Sequence, residues 1–220
     1  MQFREAVRGR KAALIDMDGV LYDSMKNHCR AWHTTMSRHG LDIPYEEFFL
    51  YEGMTGEATI NLLMERERGV TLGSGECREI YKMKADEFQR LGEVQTMEGA
   101  AEMLRILAEE GLTTVLVTGS AQSSLLNRLE FDYPGFFPPE RRVTALDVSR
   151  GKPDPEPYLK GLEKAGVAPS EAIVIENAPL GVRAGKGAGI FTVAVMTGPI
   201  PREEFEKEGA DLILSKADFR

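Results

Sequence analysis

The chain has little with which to bind nucleic acid. Lys and Arg number 27 against 35 Asp and Glu, a net charge of −8, and no basic block offsets it. Such a surface repels a phosphate backbone, so no nucleic-acid partner is expected. Cysteine is scarce too. Cys29 and Cys77 are the only two, far apart and outside any metal-like spacing, which excludes a disulfide framework and fits core thiols in a reducing compartment. No apolar run nears membrane-spanning length, and Met1–Arg10 is charged and lacks the apolar centre of a secretory signal. Repeats, low-complexity tracts and long linkers are absent. These absences point to a soluble, cytoplasmic protein without a membrane partner, and a monomer is the default expectation. Apolar residues still make up 42% of 220 positions, enough for one large domain or a domain carrying an insertion.

Periodicity divides the chain. Ala12–Ile15 is a short apolar run, read as a buried strand. After Leu21 the pattern turns helical: Met25, Cys29, Trp32 and Met36 form one stripe that Gly40 stops. Tyr45, Phe48 and Phe49 suggest a short helix after Pro44, Ile60, Leu63 and Met64 another, and Ile80, Tyr81, Phe88 and Leu91 a further one. From Met97 helices and apolar β-branched runs alternate. The strand candidates there are Thr113–Val117, Arg142–Ala145, Ala172–Ile175, Phe191–Val195 and a last edge strand over Ala210–Leu214. Helices are expected around Leu104, Leu125–Leu129, Leu159–Leu162 and Gly181–Ala188. Alternation of this kind argues for an α/β fold, a Rossmann-like parallel sheet with right-handed crossovers, carrying an inserted all-α helical cap. The expected core is 1–23 with 96–220, and the cap 24–95.

In such sheets ligands gather at the carboxyl ends of the strands. Asp16 and Asp18 follow the first strand, one residue apart, and Gly19 allows a sharp turn there. Two acids this close are costly to ionise together unless a cation sits between them, and hard oxygen ligands suit Mg²⁺. Thr118, Gly119 and Ser120 follow the second strand, Gly151-Lys152-Pro-Asp-Pro155 the third after a short loop, and Glu176-Asn177 the fourth. Together they offer a nucleophilic carboxylate, hydroxyl and N–H donors, a neutralising lysine and metal-binding oxygens, the groups that phosphoryl transfer needs. Singly each has a plainer reading: an ordinary Thr-Gly-Ser turn, a solvated lysine, an Asn capping the next helix.

Asp16-Met-Asp-Gly-Val-Leu21, Thr118-Gly-Ser120, Gly151-Lys-Pro-Asp-Pro155 and Ile175-Glu-Asn-Ala-Pro-Leu-Gly181 resemble the four motifs of the haloacid-dehalogenase superfamily. The helical insertion resembles the cap of its β-phosphoglucomutase-like branch. The resemblance implies Asp16 as nucleophile forming an aspartyl-phosphate and Asp18 as general acid/base. It implies Thr118 and Lys152 holding the phosphoryl group, and Mg²⁺ bound by Asp16, the Asp18 carbonyl and Asn177, with Glu176 close by. Gly119 and Ser120 would meet phosphoryl oxygens. At Asn177 the family commonly has a second acid, so this site carries one negative charge less and weaker metal binding is expected.

The cap loop Tyr51-Glu-Gly-Met-Thr-Gly-Glu57 has Gly56 where mutases of the branch have a phosphate-clamping arginine, which counts against a mutase. Glu52 would repel phosphate unless it binds metal, and the loop with the Glu-Asn-Ala-Pro-Leu-Gly motif is similar to bacterial inorganic pyrophosphatases of the branch. That likeness implies Glu52 reaching down to Mg²⁺. Lys84 matches a cap lysine that could hold the leaving phosphate, His28 is a candidate substrate contact near the hinge, and Gln122 a polar contact to the leaving group. The Met25–Met36 stripe and Trp32 read as cap core. The leading expectation is a Mg²⁺-dependent phosphohydrolase acting on a small anionic substrate, inorganic pyrophosphate first. A sugar or polyol phosphate and then β-phosphoglucomutase activity come next. A non-catalytic receiver-like phosphoacceptor, or a scaffold that has lost catalysis, is the reading from another class.

Overall fold

The apolar runs of the second half become neighbours of Ala12–Ile15 in one sheet. The computed structural model describes residues 2–120 and 123–219. In chain order its elements are α1 (Gln2–Val7), β1 (Ala12–Ile15), α2 (Met25–Arg38), a 3-10 segment (Tyr45–Tyr51), α3 (Gly56–Arg68), α4 (Ser74–Arg90), α5 (Ala100–Glu109), β2 (Thr113–Val117) and α6 (Ser123–Asp132). Then follow β3 (Arg142–Val143), α7 (Glu156–Ala165), β4 (Ala172–Glu176), α8 (Pro179–Gly187), β5 (Phe191–Met196), α9 (Arg202–Lys207) and β6 (Leu212–Ser215). Six strands form one sheet in the order β3-β2-β1-β4-β5-β6, all pairs parallel. The order reverses between β1 and β4, which opens a crevice beyond the carboxyl ends of those strands.

Side chains alternate across the sheet. Ala13, Ile15, Leu116, Ile173, Ile175, Val193 and Val195 join α5 and α6 in one apolar cluster. Ala12, Leu14, Val115, Val117 and Val174 face α7 and α8 in another. Burial on both faces explains why these strands read as unbroken apolar runs. A third cluster joins α2, α3 and α4 through Cys29, Met36, Ile60, Leu63, Cys77 and Ile80, and continues onto the core at Val182, Ala194 and Phe205. Thr55 caps α3 by accepting the Ala58 N–H at 3.3 Å, and Gly69 ends it with φ +67°. Among the described residues no helix is long and apolar enough to cross a membrane.

The boundaries differ from expectation in a few places. β3 stops at Val143 rather than Ala145, because the Asp147 carboxylate accepts the Thr144 N–H at 2.7 Å and the Thr144 hydroxyl at 2.8 Å. That local pairing takes the donor the ladder would need. α1 and α9 were not anticipated; each is six residues long, with Phe3 and Val7 in one and Phe205 in the other as buried anchors.

Candidate active site

The strand ends meet where the order reverses. Asp16 directly follows β1, and its N–H bonds the Ile175 carbonyl at 3.0 Å. Thr118 follows β2, its N–H on the Val143 carbonyl at 2.9 Å, and its Oγ1 accepts the Ser120 N–H at 3.0 Å. Lys152 lies in the loop before α7. The Glu156 carboxylate accepts the N–H groups of Ser149 and Arg150, both at 2.9 Å, and so pins that loop. The Lys152 ammonium donates to Asp16 Oδ1 at 2.6 Å, Glu176 Oε1 at 2.5 Å and the Val117 carbonyl at 3.0 Å. Burial works against that charge, but Asp16 and Glu176 outweigh it and hold the amine above the ordinary lysine range. Burial, with Glu176 and Asp18 adding to it, pushes the Asp16 carboxyl up to about 8 despite Lys152.

Asp18 sits on a second chain of contacts. Its Oδ1 accepts the Ser24 hydroxyl at 2.6 Å and lies 2.9 Å from His28 Nε2. His28 Nδ1 is 2.6 Å from Lys84 Nζ, itself within 5.3 to 5.6 Å of the ring centres of Trp32, Tyr81 and Phe88. An ammonium can only donate, so Nδ1 is the acceptor and Nε2 carries the hydrogen given to Asp18. Burial pulls the Lys84 amine down to about 8, against the pull of Asp18. Burial, then Lys84, lowers the His28 imidazole, which therefore bridges the two charges as a neutral ring. Burial also works against the Asp18 charge, but His28, Ser24 and Lys84 outweigh it and hold that carboxyl below the usual range.

The cap loop reaches the same place from above. Glu52 is buried, and both its oxygens accept from Asn177 Nδ2, at 3.0 and 3.1 Å. An ionised carboxylate cannot donate, so with Glu52 charged the amide nitrogen faces Glu52 and the amide oxygen faces away. That oxygen, Asn177 Oδ1, is buried and has no hydrogen-bond partner. Burial, then the nearby Asp16 charge, pushes the Glu52 carboxyl well above its usual range. The turn below is crowded as well: Gly19 has φ +82°, and a Cβ there would fall 1.9 Å from Asn177 Nδ2.

An orphaned amide oxygen beside two carboxylates that resist ionising is a donor set that fits a hard divalent cation. Among the described residues no three His, Cys, Asp or Glu side chains form a metal site by themselves; a cation here would also draw on amide and backbone oxygens. Glu176 is differently placed. Its Oε1 accepts from Lys152 and from the Tyr158 hydroxyl at 2.6 Å, and its Oε2 accepts the N–H groups of Asn177 and Ala178 at 3.0 and 3.3 Å. Four donors occupy it, which leaves it poorly placed for direct metal ligation. A Cβ on Gly181 would fall 1.9 Å from Glu176 Oε1, so that glycine leaves room for the carboxylate.

Cap and core are in tight contact. A Cβ on Gly119 would fall 2.5 Å from the Gly53 carbonyl oxygen, and one on Gly151 2.6 Å from Thr55 Cγ2. The cavity left between them is small, about 60 Å³, and Asp16, Asp18, Thr118, Gly119 and Ser120 line its floor. His28, Glu52 and Lys84 line it from the cap side, with Met25, Trp32, Phe48, Tyr51 and Tyr81. Trp32 and Met25, expected as cap core, thus face the site as well. Gln122 lies outside the described residues. Ser24 and Tyr158 are site neighbours that sequence reasoning missed; nothing in their local sequence marks a partner 6 or 18 positions away.

A carboxylate paired with a lysine, a second acid and a hydroxyl at the ends of a parallel sheet are the groups that phosphoryl transfer uses. A match to the family described as haloacid dehalogenase-like hydrolase spans residues 10–189. The chain belongs to that family and is a phosphatase of its type, which displaces the receiver-like reading. It is similar to hexitol phosphatase A of Escherichia coli K12, 32% identical over 84% of this chain and 82% of that one. It is also similar to "Putative pyrophosphatase PpaX" of Caldanaerobacter subterraneus, 26% identical over 92% and 89%. Among solved structures, "Putative beta-phosphoglucomutase from Bacteroides vulgatus" superposes with a TM-score of 0.92 at 47% identity, covering 99% of this chain and 93% of that one.

Proposed function

We propose that this phosphatase is a Mg²⁺-dependent inorganic pyrophosphatase working through an aspartyl-phosphate on Asp16. The observation that carries the reading is the buried Glu52 carboxylate, delivered by the cap onto Asn177 beside Asp16. When ionised, an acid in that position repels any phosphate substrate unless a cation is shared between them. Asp16, the Asp18 carbonyl and Asn177 Oδ1 would hold Mg²⁺, and Glu52 would join them by releasing the Asn177 amide nitrogen it now accepts from. When bound, the ion neutralises phosphoryl oxygens and lets the carboxylates ionise together.

In this reading an Asp16 oxygen attacks phosphorus and the bridging P–O bond breaks; Asp18, held ionised at rest by His28, Ser24 and Lys84, takes up a proton from solvent as the anionic substrate enters and passes it to the departing phosphate. Water then attacks the phosphorus of the aspartyl-phosphate while Asp18 accepts its proton, and the bond to Asp16 breaks to release the second phosphate. Thr118 steadies the phosphoryl oxygens, while Lys152, expected to hold the phosphoryl group directly, has its three N–H groups on Asp16, Glu176 and the Val117 carbonyl and acts by offsetting charge at Asp16. A mutase is disfavoured on a steric ground: a Cβ at Gly56 would fall 2.1 Å from the Tyr81 ring, so an arginine there has no room.

One observation favours a second reading, a sugar- or polyol-phosphate phosphatase. Trp32, Phe48, Tyr51 and Tyr81 present aromatic faces to the cavity, which suit a sugar ring. The test is phosphate release with Mg²⁺ from pyrophosphate and from a panel of sugar phosphates, for the parent and for Glu52→Ala. A strong kcat/KM preference for pyrophosphate that collapses in the variant supports the proposal. Preference for sugar phosphates, indifferent to Glu52, leaves the enzyme class standing and overturns the pyrophosphate assignment.

A further inference from the structure

We propose that Tyr158 is a positioning residue for phosphoryl transfer, acting through Glu176 on the Lys152 ammonium; this rests on the reading of Asp16 as nucleophile. The geometry is closed around the lysine. An ammonium has three N–H groups, and Lys152 commits all of them, to Asp16, Glu176 and the Val117 carbonyl at 2.6, 2.5 and 3.0 Å. Two carboxylates therefore share one cation. How far the cation leans toward Asp16 depends on how well the Glu176 charge is satisfied by other donors.

Tyr158 is one of those donors, and it shares Oε1 with the lysine. Its hydroxyl gives its hydrogen bond at 2.6 Å from a fully buried ring whose centre lies 5.1 Å from Lys152 Nζ. The other oxygen is held by backbone N–H groups and cannot compensate. Removing the hydroxyl leaves Oε1 to Lys152 alone. The ammonium then shifts toward Glu176, and Asp16 meets an anionic phosphoryl group with less positive charge beside it. Neither Tyr158 nor Glu176 lines the substrate cavity, so the loss falls on the chemical step and not on binding.

Tyr158→Phe keeps the ring and removes only the donor. Losing one hydrogen bond to a charged group is expected to lower kcat about tenfold and to leave KM within about twofold. The rates are read on both pyrophosphate and p-nitrophenyl phosphate, so a parent inactive on pyrophosphate would refute the substrate assignment and still allow this ratio to be read. An independent readout needs neither substrate nor metal: the ¹⁵N–¹H signal of the Lys152 ammonium, which should move in Tyr158→Phe. Leu162→Ala, on the same helix and buried in the same cluster, is the packing control and should lose thermal stability with kcat and the ammonium signal unchanged. An unaltered kcat with an unmoved signal in Tyr158→Phe overturns the proposal, as does an equal kcat loss in the control. Should Tyr158→Phe not fold, the parent still decides: a slowly exchanging Tyr158 hydroxyl proton close to the Lys152 ammonium is required, and its absence refutes the role.

Discussion

Alanine at Gly151 tests whether the contact between cap loop and core sets the site. The added methyl would lie 2.6 Å from Thr55 Cγ2 and 3.0 Å from the Thr55 backbone nitrogen. Carbon–carbon contacts are comfortable from about 3.5 Å, so Thr55 has to retreat by roughly 1 Å. Gly151 does not have a positive φ, and alanine therefore adds no backbone strain of its own. Thr55 caps the start of α3 and is three residues from Glu52, so its retreat draws the carboxylate away from Asn177. A displacement of that size at a reacting centre costs up to about 100-fold, and kcat/KM for Gly151→Ala should fall about 10- to 100-fold. Adding Thr55→Ser removes the clashing methyl while keeping the hydroxyl that caps the Ala58 N–H, and should recover part of the loss. The assay is steady-state phosphate release with Mg²⁺ for parent, single and double variants. Full activity in Gly151→Ala, or no recovery in the double variant, would refute the reasoning.

Two further outcomes follow from the same geometry. Gly181→Ala forces a Cβ to within 1.9 and 2.4 Å of the Glu176 carboxylate oxygens. Displacing a buried ion-pair partner costs about 3–5 kcal/mol, so chemical denaturation should show a much lower midpoint, and a midpoint like the parent's would exclude the account of that glycine. Glu156 has a lowered carboxyl pKa, because the N–H groups of Ser149 and Arg150 bond its charged form. A depressed value stabilises the fold above the unfolded pKa, roughly 4.3, and that contribution is lost as pH falls through the folded one. The melting-temperature gap between the parent and Glu156→Gln should accordingly be widest near neutral pH and close in acid. A gap that stays constant with pH would disprove the assignment.

The acids at strand ends were legible because a parallel sheet brings every strand's carboxyl end to one edge. Asp16, Thr118 and Glu176-Asn177 needed only strand identity, and those strands were unbroken apolar runs. β3 was read too long because the Asp147 side chain, three residues beyond Thr144, competes for that residue's backbone donor. The pairs that complete the site are of another kind. Glu52 with Asn177 spans 125 positions and Lys84 with His28 spans 56. No local pattern encodes such meetings; they arise when the cap helices pack through Cys29, Ile60 and Ile80 and set the loop onto the core. Gly56 and Gly181 were visible as letters, but only the Tyr81 ring and the Glu176 carboxylate beside them show why each must lack a side chain.

The central claim is that Glu52, Asn177 and Asp16 form one cation site shared between cap and core. Calorimetric titration of the substrate-free protein with Mg²⁺ tests it most directly, for the parent, Glu52→Ala and Asp16→Asn. The account predicts saturable binding in the parent, weakened about tenfold or more by loss of the cap carboxylate, since removing a charged ligand costs at least the ~1.4 kcal/mol that a tenfold change represents. Binding should be weakened further in Asp16→Asn. Unchanged affinity in Glu52→Ala would contradict it, leaving Glu52 as a cap latch on Asn177 with no part in holding the metal.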